Sequence, residues 1–331
     1  MRVALDVMGG DYAPEEIIKG AQEAVNLYPY LEKIFLVGKK EVIEQFLNGK
    51  NNKLEIVHAS EVITMEDHPG LAYRRKKDAS ITVATKLVKN GDAQAVVSAG
   101  STGGQMVAAL FGLGRIKGVE RPAIGTVLPT LKGGKLLLDA GANADCKIQN
   151  LVQFAQMGSI YAENVLGIKN PKVALINIGS EETKGNELVI KTYEQLAKQK
   201  DLNFVGNIEG RDIPQGMADV MVCDGFVGNI VLKVIEGMAT SLGYLLRTEI
   251  NKNLLAKLGA GLMLPALKRL KNQMDYSEYG GAPLLGVDGI SIICHGSSKS
   301  KAIHNAIRVA YESHSQGFLE KLKNIHMGEV E

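Results

Sequence analysis

Six stretches of this 331-residue chain set glycine among small polar or charged residues directly after a predicted strand. They are Met8-Gly-Gly-Asp11, Ser98-Ala-Gly-Ser-Thr-Gly-Gly104, Asp139-Ala-Gly-Ala-Asn143, Gly179-Ser-Glu-Glu-Thr-Lys-Gly-Asn186, Asp224-Gly-Phe-Val-Gly-Asn229 and His295-Gly-Ser-Ser298. Free backbone N–H groups at a helix start bind phosphate or another oxyanion, and small residues let the anion approach. One such loop is often only a turn. Six at strand ends predict a polar, anion-friendly crevice at the carboxyl ends of a parallel sheet. Its expected lining is Gly100, Ser101, Thr102, Gly103, Asp139, Asn143, Ser180, Asp224, Gly228, His295 and Ser297.

Two side chains in these loops carry more specific chemistry. Lys184 follows Ser180-Glu-Glu-Thr183 at a predicted helix start. It reads either as a solvated surface lysine or as half of an anion site, because the first turn of a helix favours negative charge. Asn229 precedes an apolar helical run. It reads either as an N-cap or as an amide donor to a developing oxyanion. Arg74-Arg-Lys-Lys77 is a basic run, either a solvated loop or a dock for an acidic partner or ligand anion.

Familiar chemistries are missing. The sequence has no G-x-G-x-x-G, no G-x-x-x-x-G-K-[ST], no G-x-S-x-G and no H-E-x-x-H. Its histidines show no metal-ligand spacing, so neither metal nor cofactor is expected. Cys146, Cys223 and Cys294 form no C-x-x-C pair, which argues against a disulfide framework and fits a reducing cytoplasm. With 38 basic and 36 acidic residues the net charge is +2, which excludes a general nucleic-acid binder. The N-terminus lacks the apolar core of a signal peptide.

The elements that must position these loops alternate. Strand-like runs occur at Arg2–Met8, Ile34–Val37, Leu54–Val57, Ala95–Ser98, Ala123–Val127, Leu136–Asp139, Lys172–Asn177, Asn203–Asn207, Asp219–Cys223 and Ile290–Cys294. Amphipathic helical patterns lie between most of them, among them Pro14–Tyr28, Lys147–Val165 and Asn229–Ile250. The alternation predicts one α/β/α body over 1–331, a three-layer sandwich around a mainly parallel sheet. The uncharged stretch Ala93–Gly114 has the length of a membrane span, but its glycine-rich middle reads as strand, loop and helix start. Residues 244–279 hold no strand and read as a helical protrusion interrupted by Gly259, Gly261 and Pro265. Its leucines, including Leu254, Leu258 and Leu262, are expected either in a subunit interface or at a membrane-touching tip flanked by lysines and arginines.

Together the loops resemble the bacterial phosphate acyltransferase family, PlsX. The matching stretches run through the whole chain: Asp6-Val-Met-Gly-Gly-Asp11, Arg121-Pro122, Gly141-Ala-Asn143, Asn177 to Asn186, Asp224 to Asn229, Gly280-Gly-Ala-Pro283 and His295-Gly-Ser297. Where the family usually reads S-A-G-N-T-G-A, this chain has Ser101 and Gly104. The resemblance implies the fold of the isocitrate/isopropylmalate dehydrogenase-like group. It implies transfer of a fatty acyl group from acyl carrier protein to inorganic phosphate for phospholipid synthesis. It also implies a homodimer, a cytoplasmic enzyme peripherally bound to the inner face of the plasma membrane, and catalysis by Lys184 and Asn229. A dehydrogenase of the same fold group and a noncatalytic membrane adaptor are the alternatives.

Overall fold

The computed structural model describes residues 1–47, 49, 51–274 and 276–324. Residues 48, 50, 275 and 325–331 of the predicted single body lie outside the described residues. The strands are β1 (Arg2–Asp6), β2 (Lys33–Gly38), β3 (Leu54–His58), β4 (Ala95–Ser98), β5 (Ala123–Thr130), β6 (Gly133–Leu138), β7 (Lys172–Asn177), β8 (Asn203–Glu209), β9 (Val220–Val222), β10 (Ala282–Leu285) and β11 (Ile290–Ile293). The helices are α1 (Glu15–Leu27), α2 (Lys40–Phe46), α3 (Pro69–Arg75), α4 (Ser80–Lys89), α5 (Thr102–Gly112), α6 (Ile148–Asn164), α7 (Glu187–Leu196), α8 (Gly225–Asn251), α9 (Leu254–Met274), α10 (Ser300–Ser315) and α11 (Phe318–Lys323).

Period-two alternation sends neighbouring strand residues to opposite faces of the sheet. Val3 and Leu5 of β1 pack with Ile17, Ile18 and Ala21 of α1 and Ile303 and Ile307 of α10. Ala4 between them packs with Ile81 and Ala84 of α4 on the other face. In the far half, Leu136 and Leu138 of β6 meet Leu151, Phe154 and Ala155 of α6. Leu137 instead joins the cluster that holds Ala109 of α5, Leu113 just after it, and Val227, Val231 and Ile235 of α8. Both faces are therefore covered, which is why the strands read as continuous apolar runs.

The strand order is β3-β2-β1-β4-β11-β10-β5-β6-β9-β7-β8. Two halves are parallel within themselves: β3, β2, β1, β4 and β11 in one, β6, β9, β7 and β8 in the other. The middle is antiparallel, with β11 against β10, β10 against β5, and β5 against β6. These three reversals turn the second half upside down relative to the first. The carboxyl ends of β1, β4 and β11 thus lie at one end of the sheet and those of β6, β9 and β7 at the other.

One sequence expectation holds and another changes. The uncharged stretch Ala93–Gly114 is β4, a glycine loop and α5, largely buried in the body. The protrusion is a pair of helices. The start of α8 packs on the sheet, and from Gly237 to Glu249 its residues are exposed. α9 runs back without interruption through Gly259, Gly261 and Pro265.

Candidate active site

Three of the predicted loops lie at the carboxyl ends of β6, β9 and β7, and the first two pack around Asp139. Its side chain is fully buried. Oδ1 accepts the N–H groups of Ile124 (3.0 Å), Gly141 (3.1 Å) and Ala142 (3.0 Å). Oδ2 accepts Asn143 N at 2.7 Å and Asn143 Nδ2 at 2.9 Å. Burial pushes this carboxyl above its ordinary pKa, and the N–H donors pull it back down. Asn143 in turn accepts Gly225 N on its carbonyl at 2.7 Å, which docks the start of α8. Asp139 and Asn143, expected to line a ligand, thus spend these groups inside the chain, building the loop.

Asp224 is the N-cap of α8, accepting Val227 N at 2.8 Å. Gly228 is forced by contact: a Cβ there would stand 1.8 Å from the Asp139 carbonyl oxygen. Asn229 was read above as a cap or an oxyanion donor. The cap is Asp224, and Asn229 sits in the second turn of α8, exposed. A Cβ on Gly141 (φ +139°) would meet Asn229 Cβ at 3.5 Å, so the Asp139 loop lies against that asparagine.

The third loop carries Lys184. Asn177 Nδ2 donates to the Lys184 carbonyl (2.8 Å), and Asn177 Oδ1 accepts Ile178 N (2.8 Å). Asn207 Nδ2 donates to Glu181 O at 3.0 Å, and the Tyr193 hydroxyl donates to Glu182 at 2.9 Å. α7 begins only at Glu187, with Asn186 as its cap. Lys184 therefore precedes the helix rather than sitting in its first turn, and the expected conflict with the helix dipole does not arise. Ser180 and Lys184 are both exposed. Asn207 and Tyr193, which hold this loop, carry no local signal in the sequence, because they reach it from β8 and from α7.

A cavity of about 420 Å³ lies between the Lys184 loop and the start of α8, with Asn177, Gly185, Asn186, Asp224 and Val227 on its walls. It joins the loop that presents Lys184 to the helix that presents Asn229.

The other three loops assemble at the opposite end of the sheet. Buried Asp6 accepts Ser98 Oγ at 2.7 Å, and Ser98 Oγ accepts Gly100 N at 3.0 Å. Desolvation raises the Asp6 carboxyl pKa against these bonds. Ser101 caps α5 by accepting Gly104 N, and Thr102 and Gly103 open that helix. Asp11 N donates to Gly296 O at 2.8 Å. His295 Nδ1 lies 2.7 Å from Ser297 Oγ. The six loops thus form two clusters of three, not one ring at a common sheet end: the sequence shows the loops but not the strand reversal that divides them.

The family model "Fatty acid synthesis protein" matches residues 1–321. A phosphate acyltransferase of Heliobacterium modesticaldum is 59% identical, covering 100% of this chain and 99% of its own length. One from Desulfitobacterium hafniense (strain Y51) is 60% identical over 98% and 96% of the two chains. The chain belongs to the phosphate acyltransferase family. Among solved structures, a phosphotransacetylase of Streptococcus pyogenes superimposes with a TM-score of 0.63 at 17% identity, covering 95% and 94% of the two chains. The 4-hydroxythreonine-4-phosphate dehydrogenase of Klebsiella pneumoniae gives 0.50 at 14%, covering 94% and 96%. Both likenesses concern the fold, and they bear out the dehydrogenase-like α/β/α architecture.

In this phosphate acyltransferase family member the thiols are poor nucleophiles. Burial, with Asp139 and Asp224 nearby, pushes Cys146 up to about 12, and burial alone does the same for Cys294. Cys223 is driven well above its ordinary value by burial. Among the described residues, no group of three His, Cys, Asp or Glu side chains is placed to hold a metal ion. The basic run divides. Lys76 Nζ bonds Asp67 (2.5 Å) and Val62 O (2.8 Å), so its charge is taken up locally. Arg74 and Arg75 end α3, and with Lys77 they are exposed; Lys77 Nζ lies 5.1 Å from the Tyr73 ring centroid. On the helical pair, Leu254 is 77% and Leu262 86% exposed, and Leu258, Met238, Leu242 and Tyr244 are exposed with them.

Proposed function

We propose that this chain transfers a fatty acyl group from the thioester of acyl carrier protein to inorganic phosphate. The observation that carries the reading is the cavity bounded by the Lys184 loop and the α8 start, with no competent thiol beside it. A phosphate oxygen attacks the thioester carbonyl carbon, the C–O bond forms, and the C=O electrons move to oxygen. The tetrahedral intermediate collapses, the C–S bond breaks, and the carrier leaves as a thiol with the proton that the attacking hydrogen phosphate gives up. Lys184 neutralises and orients the phosphate, and the Asn229 amide donates to the oxyanion. The catalysis is then orientation and charge stabilisation, and phosphate itself is the nucleophile.

Gly100, Ser101, Thr102, Gly103, His295 and Ser297 belong to the opposite cluster, and we assign them to the far wall of the same cleft. Sheets twist by roughly 20–25° per strand, so diagonally opposite corners of a wide sheet bend toward one face. α5 and α8, which start from the two clusters, share one hydrophobic cluster on one face. The direct test mixes protein, acyl-ACP and phosphate and traps acyl-phosphate with hydroxylamine. Absence of acyl hydroxamate would sink the reading, and a nicotinamide titration would then examine the dehydrogenase alternative.

Acyl carrier protein is acidic in this reading, and Arg74, Arg75 and Lys77 are its proposed dock. Rim charges act mainly on association rate and its salt dependence. Replacing these three by Ser is expected to raise the acyl-ACP KM and flatten its salt dependence, with kcat held. An unchanged KM at low salt would move the dock elsewhere.

The helical pair is assigned to peripheral contact with the inner face of the plasma membrane, with a subunit interface as the alternative. α8 is long and apolar enough to cross a bilayer by length and composition. Its first turns, however, are engaged with the sheet through Val227, Val231 and Ile235, and the remainder carries Glu236, Arg247 and Glu249. That leaves less than the ~20 apolar residues a span needs. The exposed leucines of α9 suit shallow insertion, where each buried CH₂ contributes about 0.8 kcal/mol and each nearby Lys or Arg about 1 kcal/mol. Leu254, Leu258 and Leu262 changed together to Glu should release the protein from anionic liposomes in flotation, with soluble acyl-phosphate synthesis retained. Dissociation into monomers instead would assign these leucines to the subunit interface.

A further inference from the structure

Proton movement is the part of the reaction that Lys184 and Asn229 leave unassigned. The attacking hydrogen phosphate gives up a proton and the carrier sulfur takes one, since a thiol of ordinary pKa, about 8.5, leaves poorly as the bare thiolate. The Lys184 loop holds a carboxylate placed for this. Lys184 N donates to Glu181 O at 3.2 Å and closes Glu181–Lys184 as a turn. Asn207 Nδ2 donates to the same oxygen at 3.0 Å, and Asn177 Nδ2 grips the Lys184 carbonyl, so both ends of the turn are fixed. The side chains of these two residues lie together over Gly179. A Cβ on that glycine would meet Glu181 Oε2 at 2.8 Å and Lys184 Cγ at 3.1 Å, so the absence of a side chain makes room for the pair. The two glutamates of the turn differ. Glu182 accepts the Tyr193 hydroxyl, whereas the exposed Glu181 carboxylate has no hydrogen-bond or ion-pair partner among the described residues. A bare carboxylate beside a phosphate site is electrostatically out of place, because it repels the anion that Lys184 attracts. The conflict ends when the carboxylate takes a proton from that anion.

We propose that Glu181 carries the proton of the acyl transfer, from the attacking hydrogen phosphate to the departing sulfur. The inference rests on the acyl-transfer reading above and adds the group that moves the proton. Lys184, at the other end of the turn, fixes the phosphate within reach of Glu181. As a phosphate oxygen bonds to the thioester carbon, the phosphate gains an acyl substituent and its remaining O–H grows more acidic. That proton passes to the Glu181 carboxylate. The oxyanion electrons then restore C=O, the C–S pair goes to sulfur, and the Glu181 carboxyl delivers its proton there. Glu181 ends as it began, and hydrogen phosphate and acyl thioester have become acyl-phosphate and thiol with nothing else consumed. In reverse, the same carboxylate deprotonates the carrier thiol as it attacks acyl-phosphate.

The reverse reaction tests this, because raising the pH supplies thiolate without any base on the protein. Acyl-phosphate and the carrier thiol are mixed with wild type, Glu181→Gln and Glu181→Ala, and acyl-ACP formation is followed from about pH 6 to 9. Melting temperatures accompany the rates, and they should match wild type, since main-chain groups hold the turn. Glu181→Gln is expected to lose about 10²-fold or more near neutral pH, the low end of what general acid–base catalysis contributes. Its rate should then climb about tenfold per pH unit toward the thiol pKa, because solution now supplies the nucleophile, while the wild-type slope is shallower. The other titratable groups around Glu181 are Lys184 and Glu182 on its own turn and Tyr193 from α7; Asn207 from β8 is neutral. All are common to wild type and variant, so a difference in slope reports Glu181. In the forward direction the KM for phosphate should not rise in Glu181→Gln, because a repulsive charge has been removed. Parallel pH profiles, or a variant rate within about threefold of wild type at neutral pH, would overturn the assignment. Should Glu181→Gln fail to fold, Glu181→Ala carries the same comparison. Failure of the acyl-transfer reading looks different: wild type then makes neither acyl-phosphate from acyl-ACP nor acyl-ACP from acyl-phosphate, and both assignments fall. Wild-type turnover with parallel profiles removes Glu181 alone.

Discussion

Lys184→Ala is expected to lower the rate of acyl-phosphate formation roughly 10²–10³-fold, which corresponds to one preorganised charge-stabilising group worth ~2.7–4 kcal/mol. The loop that presents Lys184 does not depend on its side chain. Asn177 grips the Lys184 carbonyl, Asn207 grips the Glu181 carbonyl, and Tyr193 holds Glu182. An alanine at 184 keeps all three bonds and the glycine at 185, whose φ of +104° the turn requires. The melting temperature should therefore stay at the wild-type value while turnover collapses. Asn229→Ala should behave alike, because the asparagine is exposed and the α8 cap is supplied by Asp224. Its loss should appear in kcat more than in acyl-ACP KM, the pattern of an interaction made in the transition state. Hydroxylamine trapping at saturating phosphate measures both. If both variants keep more than half of the wild-type rate, Lys184 and Asn229 are not the catalytic pair.

Local patterns in the chain predict local structure well. Ala95–Ser98 and Lys172–Asn177 are strands with the expected bounds, because each is a short apolar run closed by a loop. β10 escaped notice: Ala282–Leu285 is four residues long, contains a proline and follows two glycines. That omission matters beyond one strand, since β10 is one of the reversals that separate the two loop clusters. Strand direction is a property of pairing partners far apart in sequence, and no spacing within the chain encodes it.

The start of α8 was misplaced for a related reason. Gly225 and Gly228 look like loop residues by propensity. They are helical because the helix must pass within contact of the Asp139 backbone, where side chains would collide with Asn143 and Asp139. Tertiary contact overrode propensity, and it moved the cap from Asn229 to Asp224. The freed Asn229 amide is then available to a ligand, which is the more informative of its two sequence readings.

Asp139→Ala should be the most destabilising of these changes. Its carboxylate collects five N–H donors from Ile124, Gly141, Ala142 and Asn143, and its removal leaves several of them buried without an acceptor. Each stranded buried donor costs ~1–3 kcal/mol, so a total of about 3–5 kcal/mol is expected after local relaxation. For a protein of this size that is on the order of a 10 °C fall in melting temperature. Activity should fall with it even below the transition, because Asn143 docks Gly225 and the Gly141 backbone lies against Asn229. Asp139→Asn supplies the control. One oxygen can still serve the three donors on the Oδ1 side, while an amide NH₂ opposes Asn143 N, so its melting temperature should fall between wild type and Asp139→Ala. Calorimetry with rate measurements on the same samples distinguishes the outcomes. A variant that melts within about 2 °C of wild type would show that solvent satisfies these donors, and the loop would then owe its shape to the glycines rather than to this buried carboxylate.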